Sequence, residues 1–448
     1  MNSVKKKQFA RLCAGLLTVS LMSGCAVLGG GDDDKKDTPT LGKRTNILTG
    51  ESGAEVDPAL SEISVIVPAP RTNSDWAQSG GNAGKSVGHI ALGSASTRVW
   101  TADISGTNKR ERLAAAPVVA NGRLFVVDTQ AVVHAFDAKT GAKAWSMKIE
   151  VKSDGKPSRF GGGVSAAGTM VYATNGVGDV VALNASDGSQ LWKVRPAGPL
   201  RGSPTISNGN VYVMTQDNQI YALSQADGSV QWNEAGTVGL AGIFGVAAPA
   251  AAQGTVIAGY SSGELTAYRY ENGRNLWNDA LARTSISTSV ATLSDIDADP
   301  VIDRGRVFAL GQGGRMAAYE LVTGQRIWEL NIAGIATPVV SGEWVFVLTD
   351  DAKLLCIARP TGKVRWISQL AAYRNEAKKK NPINWTGPVL AGNRLIVAST
   401  EGDLVSVSLG EGSSTTLFDI KQPVSLAPIV ADEMLYVLDN SGRISAFR

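Results

Sequence analysis

Histidine and cysteine are scarce in this chain. Its 448 residues include two histidines, His89 and His134, and three cysteines. Cys13 and Cys25 fall within the first 25 residues, which leaves only Cys356 in the remainder. A single cysteine excludes a disulfide within the folded part, and so few nitrogen and sulfur ligands exclude a structural zinc site. We predict that Cys356 is a small buried residue of the core.

Short catalytic motifs are also missing. The sequence contains no GxSxG elbow, no HExxH run and no GxxxxGK[ST] loop, which argues against serine hydrolases, zinc proteases and P-loop enzymes. The run DIDAD at residues 295–299 resembles the start of a calcium loop. However, Pro300 stands at the turn glycine and Arg306 at the bidentate glutamate. We therefore expect no metal site and no cofactor.

The first 25 residues have the features of a bacterial lipoprotein signal. Four basic residues precede an apolar run at 12–20 that is too short to span a bilayer. The run LMSGC at 21–25 resembles a lipobox, which implies cleavage before Cys25 and acylation of its thiol. An ordinary signal peptide cut nearby is the alternative. Ala26 follows; enterobacterial inner-membrane lipoproteins carry aspartate there, so alanine implies the periplasmic face of the outer membrane.

Residues 25–70 are predicted to be a flexible tether, and residues 71–448 the folded domain. The tether contains GGG at 29–31 and DDDKKD at 32–37, which has no apolar face to bury. Without the four basic residues of the signal, the 43 basic residues become 39, against 40 acidic residues. This balance argues against nucleic acid as a partner.

A repeat of tryptophan-ended hairpins runs through the domain. A typical unit is NGNVYVMTQDNQIYALSQADGSVQW at 208–232, in which turn residues separate three short β-rich runs. The closing aromatic recurs at intervals of 38–52 residues, at Trp145, Trp192, Trp232, Trp277, Trp328, Trp366 and Phe418. Short strands, most of them with a proline, precede the hairpins. Four strands per repeat at this period predict a β-propeller.

The two ends of the domain predict how the ring closes. The last repeat stops at Arg448 without a fourth strand, whereas residues 98–103 around Trp100 form a fourth strand with no repeat before it. Pairing the two removes an open sheet edge at each terminus. The prediction is an all-β fold of eight four-stranded antiparallel blades, the last closed by the N-terminal strand. Seven blades is the alternative if one hairpin is misread.

The repeats resemble blades of the pyrroloquinoline-quinone type. Segments such as VYATNGVGDVVALNASDGSQLW at 171–192 match the pattern of hairpin, Ala-Leu, glycine and tryptophan. That family includes quinone-dependent dehydrogenases, which hold the quinone and calcium on the propeller axis, and many of which have a disulfide of adjacent cysteines. Adjacent cysteines and long insertions are absent from this sequence. We expect each tryptophan to join one blade to the next, with its indole N–H bonded to a backbone carbonyl.

The lipobox, the tether and eight such blades together resemble the BamB family, lipoproteins of the machinery that inserts β-barrels into the outer membrane. The family's Leu-Ser-Asp-Val-Asp-x-x-Pro run is matched by LSDIDADP at 293–300. The resemblance implies that Asp295 and Asp297 contact the partner, BamA. A second family run, Leu-x-Leu-Arg-Gly, corresponds to LAGIFG at 240–245, where Ile243 keeps an apolar contact and Phe244 replaces the arginine.

The resemblance implies a binding function and no enzymatic activity. We expect Ile243 and Phe244 to form the apolar centre of a docking patch, with Asp295 and Asp297 as an exposed acidic rim outside the blade cores. Packing of Phe244 between blades is the alternative. The implied partners are the periplasmic domains of BamA, other lipoproteins of the assembly complex, and unfolded outer-membrane proteins. A quinone-dependent dehydrogenase and a scaffold for another envelope complex are the alternative functions.

Overall fold

The computed structural model describes residues 53–151, 161–237, 247–281 and 294–448. Within these ranges the strands form eight four-stranded antiparallel sheets and one two-stranded sheet. The first strands of successive sheets contact one another, as they do around the axis of a propeller. The fold is therefore an eight-bladed β-propeller, which confirms the prediction from the repeat and removes the seven-bladed alternative.

Strand β1 is Arg98–Asp103, and blades 1 to 7 follow along the chain. Blades 1 to 4 consist of β2 Val118–Ala120, β3 Arg123–Val127, β4 Val132–Asp137, β5 Lys143–Lys148; β6 Val164–Ala167, β7 Met170–Thr174, β8 Val180–Asn184, β9 Gln190–Val194; β10 Thr205–Ser207, β11 Asn210–Met214, β12 Gln219–Ser224, β13 Val230–Ala235; and β14 Ala250–Ala252, β15 Thr255–Gly259, β16 Glu264–Arg269, β17 Asn275–Ala280.

Blades 5 and 6 consist of β18 Val301–Asp303, β19 Arg306–Gly311, β20 Arg315–Glu320, β21 Arg326–Leu330; and β22 Val339–Ser341, β23 Trp344–Leu348, β24 Lys353–Ala358, β25 Val364–Gln369. A small hairpin of β26 Tyr373–Asn375 and β27 Lys380–Pro382 precedes blade 7. Blades 7 and 8 contain β28 Trp385–Ala391, β29 Arg394–Ser399, β30 Asp403–Ser408, β31 Ser414–Asp419; and β32 Ile429–Ala431, β33 Met434–Leu438, β34 Arg443–Phe447. Two short 3₁₀ helices are Pro58–Leu60 and Glu376–Lys378.

Turn chemistry explains the hairpins within each blade. Between β10 and β11, Asn208 and Gly209 have φ of 51° and 76°. A two-residue hairpin turn of type I′ requires positive φ at both positions, and asparagine followed by glycine adopts it at the least cost. The flanking strands bury Val211 and Tyr212 completely. The turn places Ser207 opposite Asn210, and β11 buries side chains on both of its faces, so a shift of register would move every one of them.

The repeated tryptophans join neighbouring blades, as predicted. Trp192 of blade 2 donates its indole N–H to the Gln225 carbonyl of blade 3 at 2.9 Å. Its ring lies against Gly228, where an added Cβ would come within 2.8 Å of the ring. Equivalent indole bonds join the other neighbours, from Trp100 to Ala138, Trp145 to Ala185, Trp232 to Tyr270, Trp277 to Leu321, Trp328 to Arg359 and Trp366 to Leu409.

The N-terminal strand closes the ring, which confirms the second prediction about the fold. Strand β1 pairs antiparallel with β34, and the order in blade 8 is β1-β34-β33-β32. Trp100 then packs against Tyr436 of the same blade and bonds to blade 1. The prediction that Phe418 takes the tryptophan position of blade 7 is wrong, because the residue four positions after the turn glycine Gly412 is Thr416. Phe418 lies two residues further along β31 and stacks on Phe447 of blade 8, with ring centroids 4.3 Å apart.

Residues 73–90 form a floor across one end of the central channel, a role that the sequence did not predict. They form hydrogen bonds with the inner strands of blades 1 to 5, 7 and 8. Backbone groups supply these bonds except in blade 3, where the Gln78 side chain bonds to Ile206, and in blade 8, where the Asn73 side chain bonds to Val430. Trp76 bonds to Val119 of β2 in both directions, at 2.7 and 2.9 Å. The further strand partners are Ala166, Ile206, Ala251, Ile302, Leu390 and Asp432. Inner-strand N–H groups that would otherwise face the channel are satisfied in this way.

Residues 53–71 run from blade 6 toward the floor. Val56 forms a parallel bridge with Val364 of β25, and Asp57 forms an ion pair with Lys363 at 2.7 Å. Part of the segment that we assigned to the tether therefore lies along the outer edge of a blade. The boundaries of the signal, tether and propeller remain predictions, because residues 1–52 lie outside the described part.

The lone cysteine and the histidines have packing roles. Cys356 is fully buried in β24, as predicted, and burial raises the pKa of its thiol above the usual range. The Asn393 N–H donates to Nε2 of His89, so Nδ1 carries the proton and donates to the Pro68 carbonyl. His134 bonds to Asp128 at 2.9 Å. Among the described residues, no helix has the length and apolar character needed to cross a bilayer.

Candidate docking site and central cavity

The outer strand of each blade ends, and the inner strand of the next blade begins, on one face of the propeller, here called the mouth face. The turns between second and third strands lie on the same face, because the strands of a blade are antiparallel. The floor closes the opposite end. Asp295 and Asp297 precede β18 and are therefore on the mouth face, as predicted.

The segment at residues 294–299 is firmly packed. Ile296 is fully buried, and its N–H bonds to the Tyr260 carbonyl of blade 4 at 3.2 Å. An added Cβ at Gly259 would come within 2.4 Å of the Ile296 side chain, so the glycine is required for this close approach. Asp299 accepts hydrogen bonds from the Ala248 N–H at 2.7 Å and the Ser79 hydroxyl at 2.5 Å. The acidic segment is thus held by blade 4 and by the floor.

Arg201 completes a buried charged cluster with this segment. It precedes β10 of blade 3, and its side chain crosses blade 4 to reach blade 5. Nη2 lies 3.1 Å from Asp297 Oδ1 and 3.7 Å from Asp295 Oδ1, while Nη1 donates to the Gly259 carbonyl at 3.3 Å. The Arg201 side chain is 1% exposed. One guanidinium therefore connects three consecutive blades.

The two carboxylates compete for this guanidinium. Burial raises the pKa of Asp297 to about 6, and the Asp295 and Asp350 charges raise it as well, while Arg201 opposes the shift. Asp350, in the turn after β23, has a raised pKa because of burial and the adjacent Asp351. The cluster therefore gains a proton at mildly acidic pH, whereas an exposed aspartate stays ionised.

The expected exposed acidic rim is wrong in its geometry. Asp295 has no exposed surface, and the Asp297 side chain is 9% exposed. The run at 240–245 contains no arginine. The two carboxylates are instead buried around Arg201, which comes from blade 3. Ile243 and Phe244 lie outside the described residues, as does Cys25. Whether these positions bind a partner or a lipid remains a prediction.

Arg201 is the functional residue that the sequence analysis missed. The signal was present, because Leu200, Arg201 and Gly202 precede the strand proline Pro204. The same three residue types occur in the family run that we matched to residues 240–245, but here they lie one blade nearer the N-terminus. The Arg201 side chain is long enough to reach from blade 3 past blade 4. The sequence alone does not give the distance between blades, so this contact could not be predicted.

A cavity of ≈ 470 Å³ lies inside the ring, between the floor and the mouth face. Ser79 and Lys85 belong to its floor, and Asp297 and Asp299 to one wall. Most of the opposite wall is apolar, with Pro338, Val424 and Leu426 among its residues. Within the described residues there is no group of three or more histidine, cysteine or acidic side chains that could hold a metal ion.

A sequence profile described as "Outer membrane protein assembly factor BamB" matches residues 86–158 and 132–368. The chain belongs to the BamB family. It is 28% identical over 356 residues to a protein named outer membrane protein assembly factor BamB from Yersinia pestis, covering 78% of this chain and 88% of that one. The family assignment from the hairpins, the lipobox and the LSDID run is thereby confirmed.

Solved structures agree on the fold. The crystal structure of BamB from Moraxella catarrhalis superimposes with a TM-score of 0.66 at 19% identity, covering 79% of this chain and 99% of that one. A quinohemoprotein alcohol dehydrogenase from Comamonas testosteroni gives 0.64 at 14% identity, covering 84% and 80%. At these identities the likeness concerns the fold alone, because one propeller fold supports different functions.

Proposed function

We propose that this chain is a non-enzymatic, lipid-anchored scaffold of outer-membrane protein assembly. Its mouth face docks on the periplasmic domains of BamA, beside other lipoproteins of the complex, and supports folding and insertion of outer-membrane proteins. Membership of a family named for this assembly supports the role. A propeller holds its loops rigidly on two faces, and such surfaces are well suited to binding another protein.

The Arg201–Asp295–Asp297 cluster is the observation that carries the proposal. Its guanidinium fixes the segment at 294–299, directly before blade 5, against blade 4. In our proposal, Ile243 and Phe244 complete the docking patch together with this segment. A docking surface needs such pre-organisation, because ordering loops upon binding reduces affinity. In this arrangement the buried carboxylates position the patch, and the apolar side chains supply the contact with the partner.

We expect Phe244→Ala to weaken binding to the BamA periplasmic domains mainly through faster dissociation. A central aromatic anchor typically contributes about 2 kcal/mol or more to a protein interface, which corresponds to roughly a 30-fold change in affinity. Ile243→Ala is expected to have a smaller effect in the same direction. Surface plasmon resonance on the purified domains at two salt concentrations would measure both rate constants.

The matched control is Val322→Ala. Val322 is 73% exposed in the turn after β20, on the floor face, so its loss should leave both rate constants unchanged. If Phe244→Ala unfolds the propeller while each folded molecule still binds as the wild type does, Phe244 is a core residue and the patch is wrong. The variant Asp295→Asn with Asp297→Asn is less informative, since it leaves Arg201 buried without a charged partner.

Lipidation at Cys25 is a separate expectation. The mature protein should begin at Cys25 and carry a diacylglyceryl thioether with an acylated amine, as the LMSGC run predicts. Intact-mass and peptide mass spectrometry of protein extracted from outer membranes would detect it. Cys25→Ser should appear without lipid and leave the membrane fraction, whereas Cys356→Ser should keep the lipid. An unmodified N-terminus, or one at another residue, would contradict the assignment.

The axial cavity makes a quinone-dependent dehydrogenase the alternative worth testing. Titration of the purified protein with pyrroloquinoline quinone and calcium would separate the two functions. Stoichiometric uptake with alcohol-dependent dye reduction would overturn the scaffold proposal. Affinity purification through the native lipoprotein would distinguish a different envelope complex, because BamA would then be missing from the recovered proteins. Recovery of unfolded outer-membrane proteins with it would indicate direct client binding.

A further inference from the structure

Lys85 is a buried cation that takes no part in the tryptophan junctions between blades or in the Arg201–Asp295–Asp297 cluster. It lies in the floor at a backbone φ of 62° and is 3% exposed. Its carbon chain packs against Gly80, where an added Cβ would come within 2.9 Å. The ammonium group donates to Thr205 Oγ1 of β10 at 3.0 Å, and the Thr205 hydroxyl in turn donates to the Pro249 carbonyl.

The ammonium group is under-coordinated for its burial. Among the described residues, Thr205 Oγ1 is its one hydrogen-bond acceptor, although an ammonium has three protons to donate. Asp299 lies near enough to influence it electrostatically, but it already accepts from Ser79 and the Ala248 N–H. Burial lowers the pKa of Lys85 to about 8. A buried charge with so few partners is costly unless something else completes its shell.

Lys85 lines the ≈ 470 Å³ cavity described above. This volume lies within the range of about 300–1,000 Å³ that is typical of small-molecule sites. The cavity is amphipathic. Its polar side contains Lys85, Ser79 and Asp299, whereas aliphatic side chains and Trp385 line the side formed by blades 6, 7 and 8. A ligand that fits both sides has an apolar body and a single anionic group.

The geometry points to the cavity as a binding site for an organic carboxylate with an apolar body, whose carboxylate accepts hydrogen bonds from Lys85. The Lys85 ammonium has protons left to donate to an anion, whereas Asp299 is already hydrogen-bonded and Asp297 is paired with Arg201. The apolar wall selects against inorganic anions, which cannot replace water there. A small aromatic or aliphatic acid and the C-terminus of a polypeptide share this chemistry. Asp297 belongs both to the cavity wall and to the docking cluster, whereas Lys85, which holds the carboxylate, is not part of that cluster.

Calorimetry with the full-length protein would test the site, with 3-phenylpropionate as the probe and 3-phenylpropionamide as its uncharged control. We expect the acid to bind at least tenfold more tightly than the amide at pH 7. Lys85→Met, which keeps the chain length without the charge, should remove that preference. Lys139→Met, at an exposed lysine, should keep it. Equal binding of acid and amide by the wild type, or no binding at millimolar probe, would overturn the site.

Should Lys85→Met fail to fold, the pH dependence of the wild type still decides. The groups facing Lys85 across the cavity are Asp297, Asp299 and, at the mouth, Arg112. Acid binding should weaken near pH 6 as Asp297 ionises, and again near pH 8 as Lys85 loses its proton. Amide binding should show neither change. If the acid keeps its full advantage at pH 9.5, Lys85 does not bind the carboxylate.

A peptide arm identifies the source of the carboxylate. A hexapeptide that ends in phenylalanine with a free carboxylate would be compared with the same peptide amidated at its C-terminus. Carboxylate-dependent binding stronger than that of 3-phenylpropionate assigns the site to polypeptide C-termini. Weaker binding assigns it to small acids that fit between the floor and the mouth. Either result requires Lys85, and the Phe244→Ala variant should bind both probes as the wild type does.

Discussion

Arg201→Ala is expected to lower the free energy of unfolding by about 3–5 kcal/mol, because removing one partner of a buried ion pair leaves charge without compensation. Asp295 and Asp297 would lose the guanidinium that lies 3.7 and 3.1 Å from them. Arg201→Lys should recover only part of the loss, since a lysine cannot present the planar fork that also reaches the Gly259 carbonyl. Urea denaturation at pH 7.5, followed by tryptophan fluorescence, would measure the differences.

The control for Arg201 is Arg269→Ala. Arg269 pairs with Glu271 at 2.9 Å, but the two side chains are 54% and 42% exposed, so the change should lower the free energy of unfolding far less than Arg201→Ala does. Comparable losses of unfolding free energy in both variants would show that the buried cluster stabilises the fold no more than an exposed ion pair does. BamA binding should also fall in Arg201→Ala, measured per folded molecule, if the segment at 294–299 positions the docking patch.

The pH dependence of Arg201→Ala gives an independent check. The folded-state pKa of Asp297, about 6, is raised above the ordinary value of 3.8. The folded state therefore binds the extra proton, and this group's destabilising effect is present above pH 6 and fades as the pH falls toward 4. Without Arg201 the pKa should rise further, so the deficit of the variant should shrink on acidification. A deficit that stays constant from pH 7.5 to 5 would contradict this account.

Trp100→Ala should be as destabilising as Trp232→Ala, with a loss of about 3–5 kcal/mol for each. The two side chains are 8% and 7% exposed. Each donates to the carbonyl of the next blade, at 3.0 Å for Trp100 and 2.8 Å for Trp232. The N-terminal strand thus forms the same kind of tryptophan junction as six of the other seven, although it lies 340 residues from its neighbouring strand. Chemical denaturation of both variants would test the equivalence.

Trp385→Ala provides the comparison for Trp100. Trp385 is only half-buried, and its indole bonds to Ala371 outside the repeated junctions, so its loss should cost clearly less. Deletion of all residues before 104 is not an equivalent test of ring closure, because it also removes the floor at residues 73–90. A Trp100→Ala protein as stable as the wild type would show that ring closure does not depend on this junction.

The blades could be predicted from sequence because each is specified locally. Each repeat contains its own turn residues and short β-rich runs, and a closing aromatic residue follows every 38–52 residues. The strand around Trp100 has no repeat before it, and it matched a last repeat that has no fourth strand. The floor could not be predicted in this way. Its residues have no strand pattern, and their partners, such as Val119 and Asp432, belong to different blades. Only the assembled ring brings those partners together.

The candidate site likewise has features that the local sequence predicts and features that depend on the assembled ring. Sequence similarity placed Asp295 and Asp297 on the correct face, because the LSDID run directly precedes β18. Their burial depended on Arg201, which is about 95 positions away and belongs to another blade. The raised pKa of Asp297 follows from that packing. Lys85 lies in a glycine-rich segment whose sequence is typical of a loop, in which a lysine is normally exposed. Only the surrounding channel buries its charge.

The floor has a consequence for the order in which the chain can fold. Asn73 bonds to Val430 across 357 positions, and β1 pairs with the last strand, β34. The floor and the ring closure therefore both wait for residues near the C-terminus, although the floor is synthesised before any blade. Contacts between such distant positions slow folding. Until the final residues arrive, the ring stays open and the floor lacks its contacts with blade 8.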